Sequence, residues 1–205
     1  MKVLLLGATG LVGSECLQLL LTEKRVTEIR IFSRSPIPQT DNKITTVIAP
    51  FNKINNHDSF FAVDAILCAL GTTIKKAGSQ DAFRIVDYEY PLTAAQIGKR
   101  NGAHHYLLVS ALGANAHSTV FYNRVKGELE NAILGIKFER TTIIQPSLLL
   151  GKRKEFRFSE SIGQLFAPLI PKKYKPVQAS SVAQALVKQL FTTYSGKTII
   201  ESRNI

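Results

Sequence analysis

The chain opens with Lys2-Val3-Leu4-Leu5-Leu6-Gly7-Ala8-Thr9-Gly10-Leu11-Val12-Gly13, an apolar run followed by three glycines at a spacing of three residues. This order predicts a buried strand, a sharp turn and then a helix over residues 14–22. Glycine lets the backbone turn and approach a pyrophosphate closely, and the first N–H groups of the helix attract that anion. We therefore interpret 7–13 as a pyrophosphate-binding loop, with a ligand-free glycine turn as the alternative.

Length and composition predict one globular α/β domain over residues 1–205. The chain has 205 residues, of which 45% are hydrophobic and 20% are charged, as in soluble proteins. No apolar run reaches membrane-spanning length, and the short run at the N-terminus does not have the form of a secretory signal. Membrane insertion is therefore not expected.

The cysteines and histidines indicate neither a disulfide nor a metal site. Cys16 and Cys68 are far apart in apolar contexts, which predicts buried, reduced thiols and a cytoplasmic protein. The four histidines show no metal-ligand spacing with the cysteines, so no metal site is predicted.

The positive charge is large and uneven. The net charge is +11, and residues 103–205 hold 14 lysines and arginines against 6 aspartates and glutamates. A solvated basic surface is the favoured interpretation, and attraction of an anionic cofactor or substrate is the second. Specific nucleic-acid binding is not expected, because no basic motif interleaved with aromatic residues accompanies the charge.

Strand-like and helix-like stretches alternate along the chain. The predicted strands are 2–6, 28–33, 44–48, 65–70, 106–110, 141–145 and 197–201, and the later helices are 79–99, 122–134 and 182–191. Short apolar strands separated by helices predict a Rossmann-like, doubly wound parallel sheet with a short C-terminal extension. Residues 152–181 are expected to belong to the substrate side.

Cofactors in such sheets bind at the carboxyl ends of the strands. Besides the glycine loop, that edge carries Ser33, Arg34, Cys68, Ala69, Leu70, Gly71, Thr72, Ser110, Pro146, Ser147 and Leu148. At the end of the second strand, NAD-binding domains place a carboxylate that binds the ribose hydroxyls. Here the sequence reads Ser33-Arg34-Ser35, and a guanidinium flanked by hydroxyls suits a 2′-phosphate. NADP(H) is therefore predicted in preference to NAD(H), with an ordinary surface arginine as the alternative.

A tyrosine and a lysine four residues apart suggest acid–base chemistry. Tyr122 and Lys126 fall on one face of a predicted helix. A nearby ammonium stabilises a phenolate and draws the pKa of the tyrosine toward a useful range. Ser110, twelve residues earlier at a strand end, could hold a substrate carbonyl oxygen beside the tyrosine. Taken alone, the pair could equally be a surface pair on an amphipathic helix.

These segments together resemble the short-chain dehydrogenase/reductase superfamily, in its atypical or extended branch. The resemblance is carried by the glycine loop, by Val109-Ser110-Ala111 and by the segment from Tyr122 to Lys126. Three further segments, 68–73, 76–78 and 125–130, are similar to the Tat-interacting-protein-like oxidoreductase group. The resemblance implies a Rossmann fold and NADP(H) binding, with segment 68–72 beside the cofactor. It also implies a catalytic set of Ser110, Tyr122 and Lys126, and no asparagine is assigned to the fourth catalytic position known in many members.

The leading hypothesis is an NADP(H)-dependent oxidoreductase that acts on a carbonyl or alcohol substrate. One alternative is an NADP(H)-sensing regulator that binds a protein partner and turns over little. Another is a nucleotide-sugar epimerase or dehydratase, which the short stretch after Gly151 disfavours. The expected ligand is a small molecule, with an anionic one compatible with the charge, and either a monomer or a dimer fits.

Overall fold

Parallel strands form the centre of the computed structural model, which describes residues 1–151 and 175–205. The strands of the main sheet are β1 (Lys2–Leu6), β2 (Glu28–Ser33), β3 (Ile44–Ile48), β4 (Ala65–Cys68), β5 (His105–Val109), β6 (Arg140–Gln145) and β9 (Gly196–Glu201). Their order is β3-β2-β1-β4-β5-β6-β9, and every neighbouring pair is parallel. A separate pair, β7 (Leu149–Leu150) with β8 (Val177–Gln178), lies beyond the end of β6.

Helices cover both faces of this sheet. They are α1 (Leu11–Thr22), α2 (Ile74–Ala77), α3 (Gln80–Arg84), α4 (Tyr90–Arg100), α5 (Phe121–Gly135) and α6 (Ala179–Leu190). Alternate side chains of β1 enter opposite cores, because successive residues of a strand point to opposite faces. Val3 and Leu5 pack with α1 and α6, whereas Leu4 and Leu6 pack with α4, α5 and the 3₁₀ segment Phe51–Phe61. The predicted doubly wound α/β fold is confirmed.

Strand register brings the predicted site segments together. Leu6, the last residue of β1, pairs with Phe32 on one side and with Cys68 on the other. The glycine loop therefore leaves the sheet between the ends of β2 and β4. Val109 of β5 pairs with Ile144 of β6, which places Ser110 next to Gln145.

Several element boundaries differ from those predicted. Helix α1 begins at Leu11 and not at residue 14, so the last three residues of the glycine loop form its first turn. The predicted helix 79–99 is split by a π turn at Ile85–Glu89. The segment Phe51–Phe61 forms 3₁₀ turns that the sequence did not predict. Of the predicted substrate-side segment 152–181, residues 152–174 lie outside the described part of the chain, and the remainder leads into β8 and α6.

Both cysteines are buried and unpaired, as predicted. Burial raises the pKa of the Cys16 thiol to about 12, with a smaller effect from the Glu15 carboxylate, so this thiol is unreactive. Within residues 1–151 and 175–205, no helix is long and apolar enough to cross a membrane. In the same ranges, no group of three or more histidine, cysteine, aspartate or glutamate side chains could hold a metal ion.

Candidate active site at the carboxyl edge of the sheet

The glycine loop is packed too tightly for any side chain at two of its positions. Gly7 has a φ of +83°, and a Cβ there would lie 2.6 Å from the carbonyl oxygen of Ala69. A Cβ on Gly13 would lie 2.0 Å from the carbonyl oxygen of Gly7. Thr9, between them, is exposed. The loop therefore forms a backbone-lined cradle against the segment that follows β4.

The start of α1 adds hydrogen-bond donors to this cradle. The N–H of Gly10 donates to the carbonyl of Gly7 at 2.8 Å, which closes the turn. Gly10 is the N-cap of α1, and no side chain caps the helix there. The first turn of the helix contains no acidic residue. The amides of Leu11, Val12 and Gly13 have no acceptor within the helix. They fit an anion such as the pyrophosphate of a dinucleotide.

Ser33 and Arg34 lie at the end of β2, next to the glycine loop. The Ser33 hydroxyl is largely buried and donates to the carbonyl of Ser35 at 2.8 Å. Arg34 is exposed, and it makes no ion pair with the described residues. Its guanidinium is therefore available to a ligand at the position where a 2′-phosphate would lie in a Rossmann domain.

The segment after β4 connects the cradle to a second cluster of side chains. Ala69 contacts Gly7, as described above, and Leu70 is half-buried beside it. Two residues on, the N–H of Thr72 donates to Asp87 Oδ2 at 2.8 Å. The Cys68 thiol at the strand end is buried, and burial raises its pKa. The predicted cofactor segment 68–72 thus runs from the glycine loop to Asp87.

Lys126 and Asp87 form a buried ion pair. The distance from Lys126 Nζ to Asp87 Oδ1 is 2.7 Å, and the two side chains are 5% and 1% exposed. Gly71 covers the pair, with an ideal Cβ position 3.4 Å from Asp87 Oδ1 and 3.8 Å from Lys126 Nζ. Burial alone would lower the pKa of Lys126, but the Asp87 carboxylate, with a contribution from Tyr122, raises it. Lys126 is therefore held as a cation.

Asp87 is a site residue that the sequence analysis missed. It lies in the π turn Ile85–Glu89 and is 0% exposed. The extra residue of a π turn changes which side chains face inward, so helical periodicity does not place Asp87 beside Lys126. An acidic residue within an otherwise regular helix is a weak signal, because most such residues face solvent.

A second carboxylate, Glu130, lies one turn beyond Lys126 on α5. It is 7% exposed. Ser110 Oγ donates to Glu130 Oε1, and Gln145 Nε2 donates to both carboxylate oxygens at 3.0 Å. Burial raises the pKa of Glu130, while the hydrogen bonds from Ser110 and Gln145 and the charge of Lys126 oppose this. Neither Glu130 nor Gln145 was predicted from the sequence as a site residue.

Tyr122 lies in the first turn of α5 and is half-buried. Its ring centre is 5.5 Å from that of Phe83 and 6.0 Å from Lys126 Nζ. Tyr122, Lys126 and Glu130 are spaced four residues apart, so they lie along one face of the helix. The structure thus brings Tyr122 and Lys126 together, and it connects Ser110 to α5 through Glu130.

Residues 146 and 147, which follow β6, are hydrogen-bonded to neighbouring segments. The carbonyl of Pro146 accepts from the N–H of Leu112 at 2.8 Å. Ser147 accepts from the Ser202 hydroxyl at 2.9 Å and donates its own proton to the carbonyl of Lys175. Leu148 is 51% exposed. Of these three predicted cofactor residues, Leu148 therefore offers the most open side chain.

Comparison with known proteins identifies the family. Residues 2–85 match the family described as "Semialdehyde dehydrogenase, NAD binding domain". "Protein HTATIP2" of Rattus norvegicus is 30% identical over all of this chain and 87% of its own length. "Protein FMP52, mitochondrial" of Lodderomyces elongisporus is 35% identical over 91% of this chain and 85% of its own. The chain belongs to the family of HTATIP2 and FMP52 proteins.

A solved structure agrees with this assignment at the level of the fold. "MoeE5 in complex with UDP-glucose and NAD" matches with a TM-score of 0.76 over 97% of this chain and 75% of that one, at 13% identity. This member of the HTATIP2 and FMP52 family therefore has a Rossmann-like α/β fold. Binding of a nicotinamide dinucleotide fits both the family and the glycine cradle.

The same comparison corrects the predicted location. FMP52 proteins of several fungi are named as mitochondrial, so the prediction of a cytoplasmic protein is wrong. It rested on the two reduced cysteines, Cys16 and Cys68, and reduced thiols do not separate one reducing compartment from another.

Proposed function

We propose that the protein is an NADP(H)-dependent oxidoreductase that interconverts a carbonyl and an alcohol on a small-molecule substrate. The observation that carries this proposal is the placement of Tyr122 and Lys126 at the edge of the sheet where the glycine cradle opens. A cradle alone supports binding, whereas a phenol beside a buried ammonium supports proton transfer.

Two residues of α5 and the residue that follows β5 have separate roles in the proposed chemistry. A bound nicotinamide supplies the hydride, and the protein supplies geometry and charge. Tyr122 gives its phenolic proton to the substrate oxygen during reduction and takes it back during oxidation. Lys126, kept charged by Asp87, stabilises the phenolate and is proposed to bind a ribose hydroxyl. Ser110 holds the substrate oxygen beside Tyr122.

Five groups of residues are proposed to hold the dinucleotide. The first-turn amides of α1 bind the pyrophosphate, Ser33 and Arg34 bind the 2′-phosphate, and residues 68–72 lie along the nicotinamide half. Tyr122 with Lys126 would contact the ribose, and residues 146–148 would complete the set of cofactor contacts. The guanidinium of Arg34 at the end of β2 is exposed and makes no ion pair with residues 1–151 or 175–205, which supports NADPH over NADH.

Titration of NADPH and NADH tests the cofactor preference. We expect Arg34→Ala to weaken NADPH binding by about tenfold to a hundredfold, since a hydrogen bond to a charged group contributes about 1.5 to 3 kcal/mol. NADH binding should stay the same. The measurement is the fluorescence of the reduced nicotinamide against protein concentration.

Lys24→Ala is the matched control, because Lys24 is an exposed cation that follows α1 at the opposite edge of the sheet. It should leave both affinities unchanged. An equal loss of both cofactors in Arg34→Ala, or a loss of neither, would reject the 2′-phosphate assignment.

A second candidate function is a dinucleotide-binding regulator with little turnover. Two of the proposed catalytic groups are engaged inside the protein, since Lys126 pairs with Asp87 and Ser110 donates to Glu130. This arrangement suits a rigid binding site. The two candidates differ in what Tyr122→Phe does: a regulator keeps its full function without the phenolic proton.

A further inference from the structure

Glu130 is a buried carboxyl that the chemistry above does not use. It joins the ends of two neighbouring strands, because its partners Ser110 and Gln145 follow β5 and end β6 respectively. Gln145 donates to both carboxylate oxygens, and Ser110 donates to one of them. Burying a carboxyl costs free energy. Hydrogen bonds that only join two strand ends do not require a charged group, so the carboxyl of Glu130 calls for a further role.

The direction of the Ser110 hydrogen bond conflicts with the role of Ser110 in carbonyl reduction. A hydroxyl has one proton and two acceptor lone pairs. A carbonyl oxygen only accepts, so Ser110 must direct its proton toward the substrate to bind it. When that proton is given to Glu130, Ser110 presents only lone pairs to the substrate side.

We propose that Glu130 is a positioning residue that sets which way the Ser110 hydroxyl donates, an inference that rests on the proposed oxidoreductase function. As a carboxylate, Glu130 takes the Ser110 proton. As a carboxylic acid, it donates from Oε1 to Ser110 Oγ and leaves the Ser110 proton for the substrate oxygen. Gln145 still donates to Oε2 in the acid form, so no polar group loses its partner. Neither state transfers a proton permanently, because hydride addition is completed by the proton of Tyr122.

The surroundings of Glu130 allow both its carboxylate form and its carboxylic acid form. The charged group that faces it among the described residues is Lys126, one turn earlier on α5, and Asp87 pairs with that ammonium. The groups that face it from β5 and β6, Ser110 and Gln145, are uncharged. Burial raises the pKa of Glu130 above that of an ordinary glutamate, so the acid form persists to a higher pH than it would in water.

Glu130→Gln imitates the acid form at every pH. Its amide nitrogen can donate to Ser110 Oγ, and its oxygen can accept from Gln145. The test is NADPH-dependent reduction of phenanthrenequinone across a pH series. We expect kcat/KM of the wild type to fall about tenfold per pH unit above the pKa of Glu130. Glu130→Gln should lose this step. An unchanged pH profile in Glu130→Gln would overturn the proposal.

Glu128→Gln is the matched control. Glu128 lies on the same helix, half-buried, and pairs with Arg84. It is two residues from Glu130, so it points to another side of α5. The variant should reproduce the wild-type pH profile.

A second measurement needs neither turnover nor a folded Glu130 variant. The side-chain carboxyl of Glu130 is titrated by ¹³C NMR in the NADPH-loaded protein, with and without Ser110→Ala. Loss of a donor to the carboxylate should raise the pKa of Glu130 in Ser110→Ala. An unchanged value would overturn the proposal even where phenanthrenequinone is not reduced. Failure of the proposed oxidoreductase function has a different signature, namely no NADPH binding or full turnover in Tyr122→Phe.

Discussion

Buried polar clusters lie at both ends of the sheet, and they differ in charge. At the carboxyl end, Lys126 and Asp87 form an ion pair that is almost fully buried. At the amino end, His105 Nε2 lies 3.0 Å from Thr142 Oγ1 and 3.2 Å from the Tyr194 hydroxyl. Burial lowers the pKa of His105 to about 3, with help from Arg140 and His104, so this cluster is neutral at physiological pH.

The contrast supports different proposed roles for the two clusters. Neutral hydrogen bonds such as those of His105 can hold strands together without burying a charge. A buried ion pair recovers its desolvation cost only with good geometry and is weak support for stability. Buried charges with perturbed pKa values are instead typical of functional sites. We therefore assign structure to the amino-end cluster and chemistry to the carboxyl-end cluster.

The largest expected effect comes from breaking the ion pair. Lys126→Met leaves the Asp87 carboxylate buried without a counter-charge, which should lower the free energy of unfolding by about 3 to 5 kcal/mol. The measurement is urea unfolding followed by circular dichroism.

The double variant Asp87→Leu with Lys126→Met separates stability from function. Because both charges are removed, it should recover most of the lost stability, yet it should not recover turnover. A double variant that stays as unstable as Lys126→Met, or one that regains activity, contradicts the assignment of this cluster.

A smaller effect is expected from acid on the amino-end cluster. The pKa of His105 is depressed in the folded state from 6.5 to about 3. The unfolded chain therefore binds a proton first, and stability is lost as the pH falls below 6.5. Between about pH 6.5 and 4.5 the loss is about 2 kcal/mol. His105→Gln should remove this contribution, seen as a flatter plot of unfolding free energy against pH. An equally steep plot in the variant would assign the acid sensitivity to other groups.

The smallest effect is expected at Tyr194. Tyr194→Phe removes one hydroxyl but leaves the bond between His105 and Thr142, so the loss of stability should be about 1 kcal/mol. NADPH affinity should not change, because Tyr194 lies at the end of the sheet opposite the glycine loop. A weakened NADPH affinity, measured by fluorescence titration, would mean that the two clusters are coupled.

The fold was predictable because its signals are local. The bounds of β1, β2 and β3 agree with their apolar runs, and the glycine spacing in 7–13 reports a close backbone approach that the structure shows at Gly7 and Gly13. Sequence order alone also placed Tyr122 and Lys126 on one helix face.

The partners of these residues were not predictable, because their contacts are non-local. Asp87 reaches Lys126 through a π turn, which breaks the periodicity on which helix predictions depend. Glu130 continues the spacing of Tyr122 and Lys126, so it could have been noticed as a third member of that face. Its function depends on Ser110 and Gln145, which strand register brings to it.

Transfer of deuterium from NADPH deuterated at both C4 positions to the carbonyl carbon of 4-nitrobenzaldehyde tests most directly whether the carboxyl edge is an active site. We predict deuterium on the carbinol carbon of the product with the wild-type protein. In Tyr122→Phe, with NADPH affinity retained, the transfer should slow by about a hundredfold or more, since the proton donor is lost. Equal rates in the two proteins, or no transfer by the wild type, would contradict the proposed catalysis and favour a dinucleotide-binding regulator.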